Sequence, residues 1–266
     1  MDLSIIILNY KTKGLVKHCI RNVKISVQNL DYEIIIVDNG SNDGCGEMIQ
    51  ENFPEIKFIQ IPKNVGFASG NNVGIKEAKG EYIMLLNPDV TVLNGSIEKM
   101  VAFMKNHIDV ALAGPKLINP NGSYQISCRT FQTPSLILYR RTPLGNFPKA
   151  KEKLKKHLML DFDHNSNREV DWVMGACMLI RKSALDKVGL LDERFFFYVE
   201  DMDWCRRFWE NGYKVYYLAE AEMVHLYERA SAVEGWKFWT FNKMTRRHIA
   251  SWFKYFTKYL GVKNNA

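Results

Sequence analysis

Nothing in the 266 residues approaches the roughly 20 consecutive apolar positions that a membrane-spanning helix requires. The opening Met1-Asp2-Leu3-Ser4 carries neither a basic leader nor a cleavage site, so the chain is expected to be made and kept in the cytosol. Cysteine is scarce. The five residues Cys19, Cys45, Cys128, Cys177 and Cys205 are scattered, form no CxxC and are odd in number, which argues against a disulfide framework and against a zinc site. Buried free thiols are expected instead. There is no GxGxxG fingerprint to indicate nicotinamide or flavin, no internal repeat and no low-complexity segment. Acidic residues are missing altogether from Gly235 to Ala266, where Lys237, Lys243, Arg246, Arg247, Lys254, Lys258 and Lys263 equal the whole formal net charge of +7.

What is present is a hydrophobic content of 47% and an aromatic content of 12%, enough for one large domain or a domain with an appendage. A second basic cluster, Arg140, Arg141, Lys149, Lys151, Lys153, Lys155 and Lys156, lies mid-chain. Both clusters predict an anionic partner. No nucleic-acid-binding motif accompanies them, so nucleic acid is not expected.

The first half alternates short β-branched runs with helical patterns, as in βαβ units around a mostly parallel, Rossmann-like α/β sheet. Strands are predicted at 4–8, 33–37, 56–61, 82–86 and 110–113, buried on both faces, with helices at 13–28, 44–52, 68–79 and 95–106. Residues 119–168 read as an irregular, variable insert. Order returns with a strand-like stretch at 170–181, a helix at 201–211, a strand at 214–218 and a helical tail. In open α/β sheets ligands sit beyond the carboxyl ends of the strands. Those ends are polar here: Asn9-Tyr10-Lys11, Asp38 to Gly44, and Asn87-Pro88-Asp89. Turn and capping chemistry alone accounts for Asp38 to Gly44, but not for acids at two strand mouths.

The sequences Ile34 to Gly44, Asn64 to Gly74, Leu86-Asn87-Pro88-Asp89 and Glu200-Asp201-Met202-Asp203 resemble glycosyltransferase family 2, in that family's order and over roughly residues 3–230. They are most similar to the rhamnosyltransferase-like subgroup that builds surface polysaccharides. The resemblance implies a GT-A fold, inversion at the anomeric carbon, a UDP- or dTDP-sugar donor and a divalent cation, Mg²⁺ or Mn²⁺. It places Asp89 and His225 at the metal and Asp201 as the base, with Glu200 beside it. Asp38 then accepts the imide N–H of uracil or thymine. Asn9, Tyr10 and Asn39 complete the base pocket, while Asn64, Gly66, Asn71 and Asn87 face the ribose, diphosphate and sugar. Asn87 stands where family members commonly carry a first acid, which leaves one carboxylate in the strand-four motif. Trp172 and the Gly175-Ala176-Cys177 segment match an acceptor-side region, with core packing as the alternative.

On this reading residues 1–234 form the GT-A domain, with a nucleotide-binding half at 1–114 and an acceptor-side half at 115–234. The tail at 235–266 is basic, aromatic and amphipathic, with Ile249, Trp252, Phe253, Phe256 and Leu260 on one face and Arg247, Ser251, Lys254 and Lys258 on another. Such a helix lies on an anionic membrane at the inner face of the cell, or packs on its own domain or a second subunit to make a homodimer. The expected acceptor is lipid-linked or a glycan. Two other readings compete: a nucleotidyltransferase, for which Asn9 to Gly14 is a poor phosphate loop, and a non-catalytic sugar-nucleotide-binding protein.

Overall fold

The computed structural model describes residues 1–226 and 243–260. Its first half runs β1 (Leu3–Asn9), α1 (Lys13–Ser26), β2 (Tyr32–Asn39), α2 (Cys45–Asn52), β3 (Lys57–Ile61), α3 (Phe67–Glu77), β4 (Tyr82–Leu86), β5 (Val90–Val92), α4 (Ser96–Asn106) and β6 (Val110–Ile118). The second half runs β7 (Cys128–Arg129), α5 (Pro134–Arg141), α6 (Pro148–His157), β8 (Arg168–Glu169), β9 (Trp172–Val173), β10 (Cys177–Arg181), α7 (Leu185–Val188), α8 (Glu200–Glu210), β11 (Lys214–His225) and α9 (Lys243–Lys258).

Among the described residues one mixed sheet has the order β3-β2-β1-β4-β10-β6-β11-β5, with β8 pairing β11. Strands β3, β2, β1 and β4 are parallel, and β10 enters antiparallel between β4 and β6. The two halves of the sequence therefore share one sheet. The β-branched run of β1 is buried on both faces, and α1 covers it with Val16, Cys19, Ile20 and Val23 at helical spacing. On the other face α3 approaches so closely that a Cβ on Gly74 would stand 2.5 Å from Ile6 Cγ2, which only glycine avoids.

Several expectations change in the structure. Strand β3 is not buried on both faces, because it is the sheet edge and has no neighbour beyond it. The 119–168 stretch contains α5, started by Thr133 and Pro134, and α6, started by Pro148, so it is far from irregular. The stretch at 170–181 is broken into β9 and β10 at Met174-Gly175-Ala176. Strand β11 continues past Leu218 through a register irregularity to His225, which is its last residue rather than one that follows a strand. The edge position of β3, the break between β9 and β10 and the length of β11 depend on sheet neighbours that local pattern does not reveal.

The tail helix α9 packs on its own domain. Of the expected apolar face Trp252 is buried, whereas Phe253 and Leu260 stand exposed at 71% and 75%; Tyr255 and Ser251, outside that face, are buried, and Lys258 bridges Asp192 at 2.8 Å and Asp203 at 2.6 Å. Acids on the facing elements compensate the half-buried ammonium, a partner that the pattern of one helix does not contain. Lys237 and Lys263 lie outside the described residues. All five cysteines are buried free thiols, and no helix among the described residues is long and apolar enough to cross a membrane.

Candidate active site

The parallel register sets Asn9 of β1 directly beside Asp38 of β2, so two polar residues at strand ends become one cluster. Asn9 Nδ2 donates to Asp38 Oδ2 at 2.7 Å, and its Oδ1 accepts from the Thr12 N–H at 3.0 Å. Asp38 Oδ1 accepts from the Ser41 N–H at 2.8 Å and Gln60 Nε2 at 2.9 Å. An ionised carboxylate has about four acceptor sites, so this buried one retains capacity for one more donor. Tyr10 stands exposed at the rim.

Asn39 fixes the loop opposite. Its Oδ1 accepts from the Val65 N–H at 2.9 Å, and its Nδ2 donates to Gly66 O at 3.1 Å and Asn64 Oδ1 at 3.3 Å. Gly66 has φ +94°, and a Cβ there would sit 2.4 Å from Phe196 O, so this turn requires glycine. Asn71 turns inward and donates to Phe67 O at 2.9 Å. Asn39 and Asn71 thus shape the loop rather than project from it.

At the end of β4, Asn87 donates its backbone N–H to Ala176 O at 2.9 Å. Two residues on, Asp89 precedes β5, which pairs antiparallel with the end of β11 and sets Val90 opposite His225. His225 Nε2 consequently lies 3.4 Å from Asp89 Oδ2. Gln125 donates Nε2 to Asn119 Oδ1 at 2.9 Å, which turns its Oε1 toward His225 Nδ1 at 2.6 Å. That nitrogen must donate, so in the neutral ring the lone pair is on Nε2 and points at a carboxylate. The second Asp89 oxygen, Oδ1, is buried with no hydrogen-bond partner. This donor set fits a cation held by oxygen and imidazole nitrogen. Asp38, Asp43 and Cys45 also cluster, but they suit a cation poorly. The Asp43 oxygens already accept from Asn9 Nδ2 and the Lys13 and Cys45 N–H groups, and burial pushes the Cys45 thiol up to about 12.

A second group of acids is built on α8. Asp201 Oδ2 accepts from the Gly175 N–H at 2.9 Å, and its Oδ1 accepts from the Met202 N–H at 2.8 Å. Gly175 adjoins Ala176, the residue that holds Asn87. Burial raises the pKa of Asp201. Burial, reinforced by the Asp201 charge, raises that of Glu200 well above the usual glutamate range, and Glu200 Oε2 is buried without a partner. Just before them, Tyr198 and Val199 have φ of +69° and +76°, left-handed conformations that cost about 1–3 kcal/mol each for such residues. The surroundings impose them. Ser251 Oγ donates to Phe197 O at 3.1 Å, and Tyr198 stacks on His248 with ring centroids 4.3 Å apart. Burial, with the charges of Arg141, Arg140 and Arg129, pushes His248 down to about 3, so its ring is neutral.

Asp203 has a different role from its neighbours. Fully buried, it accepts from Arg207 Nε at 2.9 Å, Lys258 Nζ at 2.6 Å and Tyr259 OH at 2.9 Å, tying α8 to α9. Breaking such a buried pair costs about 3–5 kcal/mol.

The family model described as Glycosyl transferase family 2 matches residues 4–189. The chain belongs to glycosyl transferase family 2. A relative of the family, N-acetylglucosaminyl-diphospho-decaprenol L-rhamnosyltransferase of Mycobacterium tuberculosis (strain CDC 1551 / Oshkosh), is 30% identical over 208 residues. The match covers 72% of this chain and 66% of that enzyme, just under two thirds of its length. Rhamnosyltransferase WbbL of Escherichia coli (strain K12) is 24% identical over 263 residues, 96% of this chain and 92% of its own. The crystal structure of GalNAc-T7 with UDP, GalNAc and Mn²⁺ superimposes with a TM-score of 0.66 at 14% identity, covering 94% of this chain and 47% of that one. The architecture is the GT-A fold.

Within this family-2 chain the structure adds residues that the motifs do not announce. Gln125 orients His225 from within the stretch that reads as an insert, and Gln60 on the edge strand supports Asp38. Neither has a local signature. Asp38 and Asp89 stand out by their positions at or just beyond strand ends; the amides that orient Asp38 and His225 do not.

Proposed function

We propose that this chain is an inverting glycosyltransferase that transfers a sugar, of the rhamnose class, from a UDP- or dTDP-sugar to a lipid-linked or glycan acceptor in cell-surface glycan synthesis. The observation that carries the reading is a single dipeptide: the Gly175 N–H binds Asp201 while Ala176 O binds the Asn87 N–H. That dipeptide couples the Asn87-Pro88-Asp89 turn to the Asp201 carboxylate of α8, so the proposed metal-side and acceptor-side acids are held by adjoining residues. The names of the mycobacterial and Escherichia coli relatives support rhamnose, and the first of them supports a lipid diphosphate acceptor.

In this mechanism Asp38 accepts the N3–H of uracil or thymine, and Asn9, Tyr10 and Asn39 shape the base pocket. The Asn64 and Gly66 turn, with Asn71 behind it and Asn87 opposite, confines the ribose and diphosphate. Asp89 and His225 would hold a divalent cation, Mg²⁺ or Mn²⁺, which as a Lewis acid stabilises negative charge on the leaving diphosphate. Asp201 takes the proton of an acceptor hydroxyl as that oxygen attacks the anomeric carbon. The new C–O bond forms on the face opposite the departing nucleoside diphosphate, which inverts the centre. The Gly175 and Met202 N–H groups hold the carboxylate in place, and the helix N-terminus favours its ionised form against burial. Glu200, whose pKa burial and the Asp201 charge raise, orients the helix entry.

Thermal shift with UDP-, dTDP- and GDP-sugars, with and without Mn²⁺, tests the reading. A Mn²⁺-dependent rise with a uridine or thymidine donor is expected. A rise with GDP-sugar alone, or none with any donor, overturns it.

A further inference from the structure

The mid-chain basic cluster has no part in the mechanism above, and the structure shows what it is made into. From Leu138 to Leu160 the chain has seven basic residues, Arg140, Arg141, Lys149, Lys151, Lys153, Lys155 and Lys156, against one acid, Glu152. Folded as α5, a short 3₁₀ turn at Pro143–Asn146 and α6, this segment exposes all five lysines. Lys149, Lys153 and Lys156 recur at the spacing that puts them on one side of α6. Ion pairs to Asp161 and Glu152 engage Lys155 and Lys156. Between the cations the same segment exposes large apolar side chains: Leu138 is 48% accessible, Leu144 42%, Phe147 61% and Leu160 50%. Nothing in the packing of the domain requires them at the surface, because α6 buries Ala150 and His157 and α5 buries Leu136.

We propose that the α5–α6 segment, rather than the C-terminal helix, is the surface that docks on an anionic lipid bilayer. Two observations select this occupant. Apolar side chains set among lysines match the layered chemistry of a bilayer surface, where phosphates lie above an acyl boundary; a nucleic acid offers the phosphates but nothing for Leu138, Leu144 and Phe147. The tail helix α9, by contrast, has its Trp252 and Tyr255 buried in the domain and Lys258 engaged by Asp192 and Asp203.

The position of the segment adds a reason for the docking, one that rests on the lipid-linked acceptor proposed above. The Arg141 guanidinium at the end of α5 lies over the Trp252 ring at 5.3 Å; Trp252 packs on His248 at 4.2 Å, and His248 on Tyr198 at 4.3 Å. Tyr198 lies two residues before Glu200. That chain of contacts links the end of α5 to the segment just before the carboxylates of α8, the side on which the proposed lipid-linked acceptor arrives.

The test is co-sedimentation of the full chain with vesicles of phosphatidylcholine alone or with phosphatidylglycerol added. Binding is expected only with the anionic lipid. The triple change Lys149→Glu, Lys153→Glu, Lys156→Glu should weaken it by about 100-fold, the effect of three basic residues lost from such a surface. Leu144→Glu with Phe147→Glu should also weaken it, whereas Phe253→Glu on the exposed side of α9 should not. Unchanged vesicle binding in both α5–α6 variants, loss with Phe253→Glu instead, or tighter binding to single-stranded DNA than to anionic vesicles overturns the proposal. An unaltered melting temperature confirms that each variant is folded. Sedimentation needs no sugar transfer, so its failure and the failure of the catalytic reading are separately visible.

Discussion

Asp89 and His225 meet at 3.4 Å because the three-residue strand β5 pairs with the far end of β11. Asp89→Ala is expected to abolish Mn²⁺-dependent nucleotide binding and transfer while leaving the fold intact. His225→Ala should weaken the metal dependence by about 10- to 100-fold, and Gln125→Leu, which frees the ring, by a similar factor. Calorimetric titration of Mn²⁺ in the presence of dTDP measures all three. Unchanged metal affinity in Asp89→Ala would sink the metal assignment, and unchanged affinity in Gln125→Leu would sink the orienting role.

Asp201→Asn separates catalysis from binding. Donor and metal affinity should stay near wild type while turnover falls by about 10²- to 10⁴-fold, the usual range for a lost general base. Because burial raises the Asp201 pKa, the wild-type rate should climb with pH above the ordinary aspartate value of about 3.9, and the variant should lose that limb. Wild-type turnover in Asp201→Asn, measured by release of nucleoside diphosphate, places the base elsewhere.

Glu200 gives a prediction about stability. Its folded-state pKa is raised, by burial first and by Asp201 second, so the folded protein retains a proton that the unfolded chain releases. Stability from this group is complete below the ordinary glutamate pKa of about 4.3 and declines as pH rises toward the folded value. Glu200→Gln has no proton to lose. Its melting temperature relative to wild type should therefore improve steadily as pH increases from acid to neutral. Parallel melting profiles for the two proteins would show that Glu200 is not held protonated.

The base pocket predicts nucleotide preference. Asp38→Ala should lose about 1.5–3 kcal/mol of donor affinity, the worth of a hydrogen bond to a charged group, and wild type should favour UDP and dTDP over CDP. Because Asp38 also holds Asn9, Ser41 and Gln60, the variant's melting temperature must be compared alongside its affinity. Equal wild-type binding of all three nucleotides contradicts the contact.

The sequence by itself determined the α/β half, since runs such as Ile5-Ile6-Ile7 and Ile34-Ile35-Ile36 are local signals of buried parallel strands. It also put Asp38 and Asp89 at or just beyond the carboxyl ends of such strands, where ligands of open α/β sheets collect. What it could not contain is which distant residues become neighbours. Only the tertiary structure extended β11 to bring His225 to Asp89, turned Gln125 toward the imidazole ring, and set Lys258 between Asp192 and Asp203. Each of these rests on sheet register or helix docking across long stretches of chain, and periodicity within one segment has no term for them. The tail shows the difference most clearly: an amphipathic pattern states that a helix has an apolar face, and only the packed domain decides whether that face is covered by its own chain or left for another surface.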